Sequence, residues 1–446
     1  MTKFHVALVL GTRPEIIKSE PIIKAFDKHH EVELIMVYSG QHEDYSMFES
    51  FIDEFNVSDK ELIKAEPCGD WVDSSVRLSG LQRAIDQIQP DIVLAVGDTY
   101  TVAYSALISH QLRIPFCHVE AGLRSFDKNM PEEGNRIVAD HLADICLCPT
   151  SVSATNLSME AIPPNRVYVT GNTIVDSCLK YSREAVNSNI IERLGLKANS
   201  PTILLTVHRV ENTDDPQRLG RIVDAIIGAR DFQIIFPVHP RTKDRLKKSG
   251  LQYVLSEAPS VTVTPPLGYV DFLKVLIDSN LVLTDSGGVQ EEATILGKRC
   301  LVLRGSTERP ETVISGNCRV IGVENLERAI RRPISDETWP IPKRYGGVIG
   351  DGKSGRRIAN ILIKHLKRGF KHQPKYFDDG YASYRLVKVR GHIPKLTDLR
   401  VIGDISILQV YNENGEPSWP GDVKKLRKGQ NLLLLGSPSH MRRYQP

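Results

Sequence analysis

Twice along this chain, short β-branched or aliphatic runs alternate with stretches of helical periodicity, and that alternation leaves few folds open. In the first series the runs are residues 6–10, 32–37, 92–96, 116–119 and 145–148; in the second they are 203–207, 234–238, 261–263, 281–284 and 300–303. Alternation of this kind implies parallel sheets with helices on both faces, so the fold class is α/β with two doubly wound units. A length of 446 residues agrees, being too great for one core. Ligands of such units collect at the C-terminal ends of strands, and two units are expected to face a shared cleft.

The most telling strand end is LVLTDSGGVQEE, residues 281–292. It reads as a buried strand, a turn carrying Ser286, Gly287 and Gly288, and a helix opening on Val289-Gln290-Glu291-Glu292. First-turn N–H groups lack intrahelical partners and the helix dipole adds positive potential, so a phosphate suits a turn where glycines let the backbone come close. Glu292 would repel that phosphate but can accept hydrogen bonds from a ribose diol. Together they point to a nucleotide. An ordinary tight β–α connection, with Glu matching the dipole, is the alternative at this stage.

Other strand ends carry polar residues as well. The first series offers Gly11-Thr12-Arg13-Pro14-Glu15, where Pro14 suits the first turn of a helix that carries Lys18, and then Gly97-Asp98-Thr99. It continues with His118-Val119-Glu120-Ala121-Gly122-Leu123-Arg124 and Met130-Pro131-Glu132-Glu133-Gly134-Asn135-Arg136. Three carboxylates at loop positions result, Asp98, Glu120 and Glu132. The second series offers His208, His239, Arg304 and Arg309 beside the glycine turn. That division suggests a cationic wall that stabilises a nucleoside diphosphate as leaving group, and a carboxylate wall that moves protons on what the diphosphate carries. Two carboxylates held close would split their pKa values into one acid and one base. Each residue also has a plainer use: Asp98 as a helix cap, Glu132 and Glu133 as dipole partners, His239 as a loop histidine.

Composition narrows the partners. Lys+Arg 57 against Asp+Glu 54 leaves +3, which makes no case for nucleic acid or an anionic membrane. No apolar run approaches spanning length, the start lacks a signal-peptide pattern, and seven scattered cysteines fit reduced thiols, so a cytoplasmic location is expected. Cys146 and Cys148 read as buried fillers. No spacing resembles a zinc site and no G-x-G-x-x-G supports a nicotinamide, so no cofactor is expected. GVIGDGKS, residues 347–354, matches the Walker A pattern, but a Pro-rich loop stands where its strand should be, so a P-loop is rejected. A helix follows over residues 354–367 with Ile358, Ile361, Leu362 and Leu366 on one face, and its basic end suits the dipole. After about residue 373 the runs 387–390, 405–411 and 431–435, with an Asn414-Gly415 turn, read as a small β-rich module for regulation or assembly.

Eight motifs in order, GTRPEIIK (11–18), GDTYT (97–101), HVEAGLRS (118–125), MPEEGNR (130–136), TVHRVEN (206–212), PVHP (237–240), TDSGGVQEEA (284–293) and STERPET (306–312), resemble the non-hydrolysing UDP-N-acetylglucosamine 2-epimerases. The resemblance covers about residues 3–370. It implies a GT-B fold, with a Rossmann-like domain at residues 1–170, a UDP-binding Rossmann-like domain at 171–352 and a helix crossing back at 353–372. It implies interconversion of UDP-GlcNAc and UDP-ManNAc without metal or nicotinamide, by anti elimination of UDP to 2-acetamidoglucal and re-addition, in cell-surface polysaccharide biosynthesis. By motif position Asp98, Glu120, Glu132, Arg136 and His208 would be catalytic, with the acid and the base among the carboxylates left open. Arg13, Lys18, His208, Phe272, Ser286, Gly287, Gly288, Glu292 and Arg309 would contact UDP, with His239 nearby.

Two departures bear on this. Asp44 in Gln41-His42-Glu43-Asp44 replaces a glutamine of members activated by a second UDP-GlcNAc, and Leu267 replaces a glutamine that some members place beside the uracil. The tail, residues 375–446, resembles the TrkA-C (RCK C-terminal) domain of potassium-transport regulators, a small α+β module that dimerises and often binds small effectors. A homodimer is expected. Alternative functions are a 2-epimerase of a modified UDP-sugar such as a UDP-diacetamido-uronic acid, a hydrolysing 2-epimerase, and a UDP-sugar sensor acting through the tail. A pure sensor would need only the UDP wall, so the full carboxylate set argues against it.

Overall fold

The computed structural model describes residues 3–40, 54, 55, 57, 61–65, 74–197, 200–324, 326–331, 339, 349–370, 383–388, 405–412, 414, 417, 418 and 430–436. Residues 41–44, which carry the departure from members activated by a second UDP-GlcNAc, lie outside these. Contacts divide the chain into two compact units, Met1–Asp176 with Gly350–Pro446, and Ser177–Ile349.

The first unit is built on strands β1 Phe4–Leu10, β2 Val32–Tyr38, β3 Glu61–Lys64, β4 Ile92–Val96, β5 Phe116–Val119, β6 Ile145–Cys148 and β7 Val167–Val169. They form one seven-stranded parallel sheet in the order β3-β2-β1-β4-β5-β6-β7. Its helices include α1 Arg13–Phe26, α2 Ser74–Ile88, α3 Tyr100–Leu112, α4 Pro131–Leu142, α5 Ser151–Met159 and α6 Thr173–Ala185, the last running on into the second unit. Central strands read as continuous apolar runs because helices cover both faces: Val6 to Leu10 and Ile92 to Val96 are almost wholly buried. Each such side chain contributes about 2 kcal/mol relative to exposure.

The second unit repeats the plan with β8 Thr202–Thr206, β9 Gln233–Pro237, β10 Val261–Thr264, β11 Leu281–Thr284, β12 Cys300–Val302 and β13 Cys318–Val320, in the order β10-β9-β8-β11-β12-β13. Its helices include α7 Pro216–Gly228, α8 Pro240–Lys248, α9 Tyr269–Asp278, α10 Gly287–Ile295 and α11 Pro310–Ile314. Both sheets therefore reverse direction beside their first strand, β1 and β8, the switch point where doubly wound units hold ligands.

The chain returns to the first unit as α12, Ser354–Arg368, which packs on α1. Its amphipathic face buries Ile358, Leu362 and Leu366. The N-terminus of α12 is filled from within the protein. Asp176 accepts the N–H groups of Ser354 and Gly355 at 3.1 and 3.0 Å, and Arg357 pairs with Asp351 at 2.6 Å. Burial pushes the Asp176 carboxyl up to about 6; the two backbone bonds act against it and the charge of Asp351 adds to it. The Walker-like letters thus end at a helix start taken by a carboxylate.

In the tail, β14 Ser383–Lys388, β15 Ile405–Tyr411, β16 Pro417–Ser418 and β17 Asn431–Gly436 form an antiparallel sheet in the order β14-β17-β15-β16. The strand expected at residues 387–390 runs earlier, because its partner β17 fixes it from Ser383 opposite Gly436 to Lys388 opposite Asn431. β15 lies along β7 and α5, covering an edge strand of the larger sheet.

Candidate active site

In the first unit the polar residues of three strand ends meet around Gly97. A Cβ at Gly97 would stand 3.8 Å from Glu120 Oε2 and 3.9 Å from Glu15 Cγ. Asp98 does not cap α3, whose N-cap is Thr99. Its carboxylate instead takes Nη2 and Nε of Arg136 at 2.7 and 3.1 Å, and its carbonyl takes Asn135 Nδ2 at 3.0 Å. Arg136 is almost fully buried and is balanced on its other side by Glu133 at 2.6 Å. Glu133 in turn accepts Ser125 N, Ser125 Oγ and Phe126 N, which ties the β5–α4 loop to the first turn of α4. Glu132 stands one residue earlier in that turn, part-buried.

Glu120 pairs with Lys18 Nζ at 2.7 Å, both side chains almost enclosed. Lys18, expected at UDP, is placed against a carboxylate of its own unit. Its position on α1 follows from Thr12 as N-cap and from Glu15, whose carboxylate accepts the N–H groups of Gly11 and Thr12 at 2.5 and 2.9 Å. The other oxygen of Glu15 takes the Thr99 hydroxyl at 2.5 Å, joining the β1–α1 and β4–α3 loops. Burial pushes the Glu15 carboxyl up to about 7; these three bonds pull the other way and the charge of Asp98 adds to the rise. Glu120 itself has a φ of +71°, a left-handed conformation that a non-glycine residue holds only where its surroundings enforce it.

In the second unit, α10 opens at Gly287, two residues before the position expected from sequence, with Ser286 as N-cap and no side-chain capping bond. Its first-turn N–H groups are therefore not capped by the Ser286 side chain, the arrangement in which such groups can receive an anion. Gly287 has a packing reason besides: an added Cβ would stand 2.6 Å from Glu308 Oε1. Asp285, unremarked within its motif, is fully buried and organises the wall. It accepts His208 N, Arg209 N and Asn212 Nδ2 at 3.0–3.1 Å, pinning the loop after β8 to the end of β11. His208 lies 5.9 Å from His239, ring centroid to centroid. His239 caps α8, its Nδ1 accepting Arg241 N at 3.3 Å, which leaves Nε2 as the donor of that ring.

The two arginines expected beside the glycine turn are themselves ion-paired. Arg304 is buried against Glu308 at 2.7 Å with Glu211 at 3.6 Å, and Arg309 is buried in an ion pair with Glu291. A buried guanidinium needs such a partner, and each of these two arginines finds it in a carboxylate of its own unit. Glu292 is buried on α10, and Phe272 is part-buried on α9. Arg13 opens α1, in the first unit.

The UDP-N-acetylglucosamine 2-epimerase profile matches residues 24–363. The chain belongs to that family. A UDP-N-acetylglucosamine 2-epimerase of Methanocaldococcus jannaschii is 39% identical over 366 residues, covering 80% of this chain and 98% of the relative. A UDP-2,3-diacetamido-2,3-dideoxy-D-glucuronate 2-epimerase of Pseudomonas aeruginosa is 34% identical over 370 residues, covering 80% and 99%. The solved M. jannaschii epimerase in complex with UDP-GlcNAc and UDP superposes with a TM-score of 0.72 at 38% identity, covering 81% of this chain and all of that one. The UDP-GlcNAc-bound epimerase of Neisseria meningitidis gives 0.73 at 29% identity, with 81% and 100% covered. Relatives of the epimerase family are thus spanned end to end, and the tail is additional to them.

Proposed function

We propose that this epimerase-family chain interconverts UDP-GlcNAc and UDP-ManNAc. The observation that carries the reading is the pair Asp98 and Glu120 at neighbouring strand ends, each held by a buried cation, Arg136 and Lys18. The C2 proton of the sugar has no carbonyl beside it to acidify it, so its removal must accompany loss of UDP. A carboxylate takes the C2 proton, the C–H electrons form the C1–C2 double bond, and the C1–O electrons leave on the β-phosphate. The products are 2-acetamidoglucal and UDP. Protonation of C2 from the opposite face, with attack of the UDP oxygen on C1, gives the epimer. Asp98, Glu120 and Glu132 are the candidate acid and base, with Arg136 and His208 completing the catalytic set. The α10 N-terminus with Ser286, Gly287 and Gly288 would receive the diphosphate, and Glu292 the ribose. Arg13, Lys18, Phe272, Arg309 and His239 complete the proposed UDP set.

The test is incubation with UDP-GlcNAc in D2O, followed by proton NMR. UDP-ManNAc carrying deuterium at C2 is the expected product. Unchanged, protonated UDP-GlcNAc beside intact UDP binding would defeat the reading. The P. aeruginosa relative favours a second substrate, a UDP-diacetamido-uronic acid, and the same tube with that sugar decides between them.

We also propose that the tail is a TrkA-C-like regulatory or dimerising module and that the protein works as a cytoplasmic homodimer. The tail touches the site-bearing end of its unit: the Tyr411 hydroxyl shares a hydrogen bond with Ser151, at the first turn of α5. An apolar stripe, Tyr100 and Leu107 on α3 with Ile137 and Val138 on α4, lies exposed and suits a second copy. Truncation after Phe370, read by light scattering and by activity with and without nucleotides, tests the module. Unchanged mass together with full, ligand-insensitive activity would remove it from the proposal. No helix among the described residues is long and apolar enough to cross a membrane.

A further inference from the structure

Behind the carboxylates of the first unit lies a closed chain of paired charges, buried as far as its outer member Glu160, which is part-buried. His118, on β5 and wholly buried, has an acceptor at each ring nitrogen: Nδ1 lies 2.6 Å from Asp140 Oδ1, and Nε2 lies 2.7 Å from the carbonyl of Gly97. A carbonyl can only accept, so Nε2 carries a proton. Asp140 Oδ2 already accepts Gly122 N at 3.0 Å and Arg124 Nη1 at 2.7 Å, so this carboxylate stands ionised beside a guanidinium and Nδ1 carries a proton too. Arg124 is then closed off by Glu160, which takes Nε and Nη2 at 2.6 and 2.7 Å. Two cations and two anions sum to zero, which is what allows His118, Asp140 and Arg124 to be buried, while the part-buried Glu160 also has His141 at 3.3 Å. The thiols of Cys146 and Cys148 on β6 also face this cluster, and burial, reinforced by the nearby charge of Asp140, keeps them neutral.

The chain's two inner ends are catalytic loops. Gly97 immediately precedes Asp98. Gly122 follows Glu120 by two residues, with φ of +81° against +71° at Glu120. An added Cβ at Gly122 would stand 2.2 Å from the Ser153 carbonyl, so α5 closes on this turn from the far side. No covalent feature fixes the spacing of the two loops, yet proton transfer needs both carboxylates set to a fraction of an ångström.

We propose that His118 is a positioning residue, a charged imidazolium that with Asp140 holds the Asp98 and Glu120 loops at their working separation. It rests on the assignment of proton transfer to those carboxylates. Burial, the largest influence, disfavours the charged ring; Asp140 and the Gly97 carbonyl outweigh it and raise the pKa of His118, while Arg124 opposes.

The test uses the full chain. In H118N, kcat for C2 exchange should fall about 100-fold while KM for UDP-GlcNAc and Kd for UDP stay within about 3-fold. E160Q, at the outer end of the network, should lose less than about 3-fold in kcat. A folded H118N with unchanged kcat, or one in which kcat, KM, Kd and Tm decline together, overturns the proposal. Should H118N not fold, 15N-histidine NMR of the parent at about pH 8 decides: a ring shielded from exchange with both nitrogens protonated supports it, and a singly protonated one overturns it. D98N separates the underlying assignment, since retained exchange there would defeat the carboxylate reading whatever H118N does.

Discussion

The two units wind their sheets in the same order and use the strand ends in opposite ways. In the first, cations are spent fixing carboxylates: Lys18 on Glu120 and Arg136 on Asp98. In the second, carboxylates are spent fixing cations, Glu308 on Arg304 and Glu291 on Arg309, while Asp285 fixes backbone N–H groups. One unit is left with placed carboxylates at its strand ends, the other with a helix N-terminus that its N-cap side chain does not close. The lesson is that a duplicated scaffold sets where groups stand, while local charge pairing sets what they can do.

The sharpest way to break this contrast is to neutralise a carboxylate of the first unit. D98N or E120Q should lower kcat for C2 exchange about 1,000-fold and leave UDP affinity, measured by titration calorimetry, within about 3-fold. A large loss of UDP affinity would mean that the division of labour is wrong. Next comes the buried acid of the first unit. Glu15 is raised from 4.5 to about 7, so its contribution to stability is fully present below about 4.5 and is lost as pH rises through about 7. The full difference is on the order of 3 kcal/mol. E15Q, which mimics the protonated form, should therefore flatten the decline in urea midpoint between about pH 5 and pH 8 relative to the parent. An equally steep decline in E15Q would place the titrating group elsewhere. On the second wall, G287A forces a Cβ toward Glu308 and should weaken UDP binding about tenfold, or about 1.4 kcal/mol, with kcat at saturation nearly kept. Unaltered affinity would show that the α10 start does not hold the diphosphate.

Much of the architecture was legible. Residues 92–96, 116–119, 145–148, 281–284 and 405–411 were expected as strands and are strands, and most others shift by a residue or two. The strands absent from the sequence reading, β3, β7, β13 and β16, share a cause: each lies at the edge of its sheet and is only two to four residues long. Such a segment carries too little apolar periodicity to stand out. Helix α10 began earlier than expected because glycine has poor helix propensity, yet Gly287 is needed where Glu308 closes in. Of the candidate residues, those in strand-end motifs could be named from sequence. Glu15, Asp140 and Asp285 were passed over and Glu133 was read only as a dipole partner, since a carboxylate that accepts backbone N–H groups looks like any other until the loop it braces is seen.

The sequence by itself determined the repeated winding and the places where polar side chains gather, because periodicity and glycine turns act within a few residues of each other. Only the tertiary structure decided the charge partners. Lys18 and Glu120 are 102 residues apart, His118 and Asp140 are 22 apart, and Asp98 and Arg136 are 38 apart. Burial in a low dielectric makes such pairing obligatory for each charge, but which partner is supplied depends on which loops the sheet brings side by side.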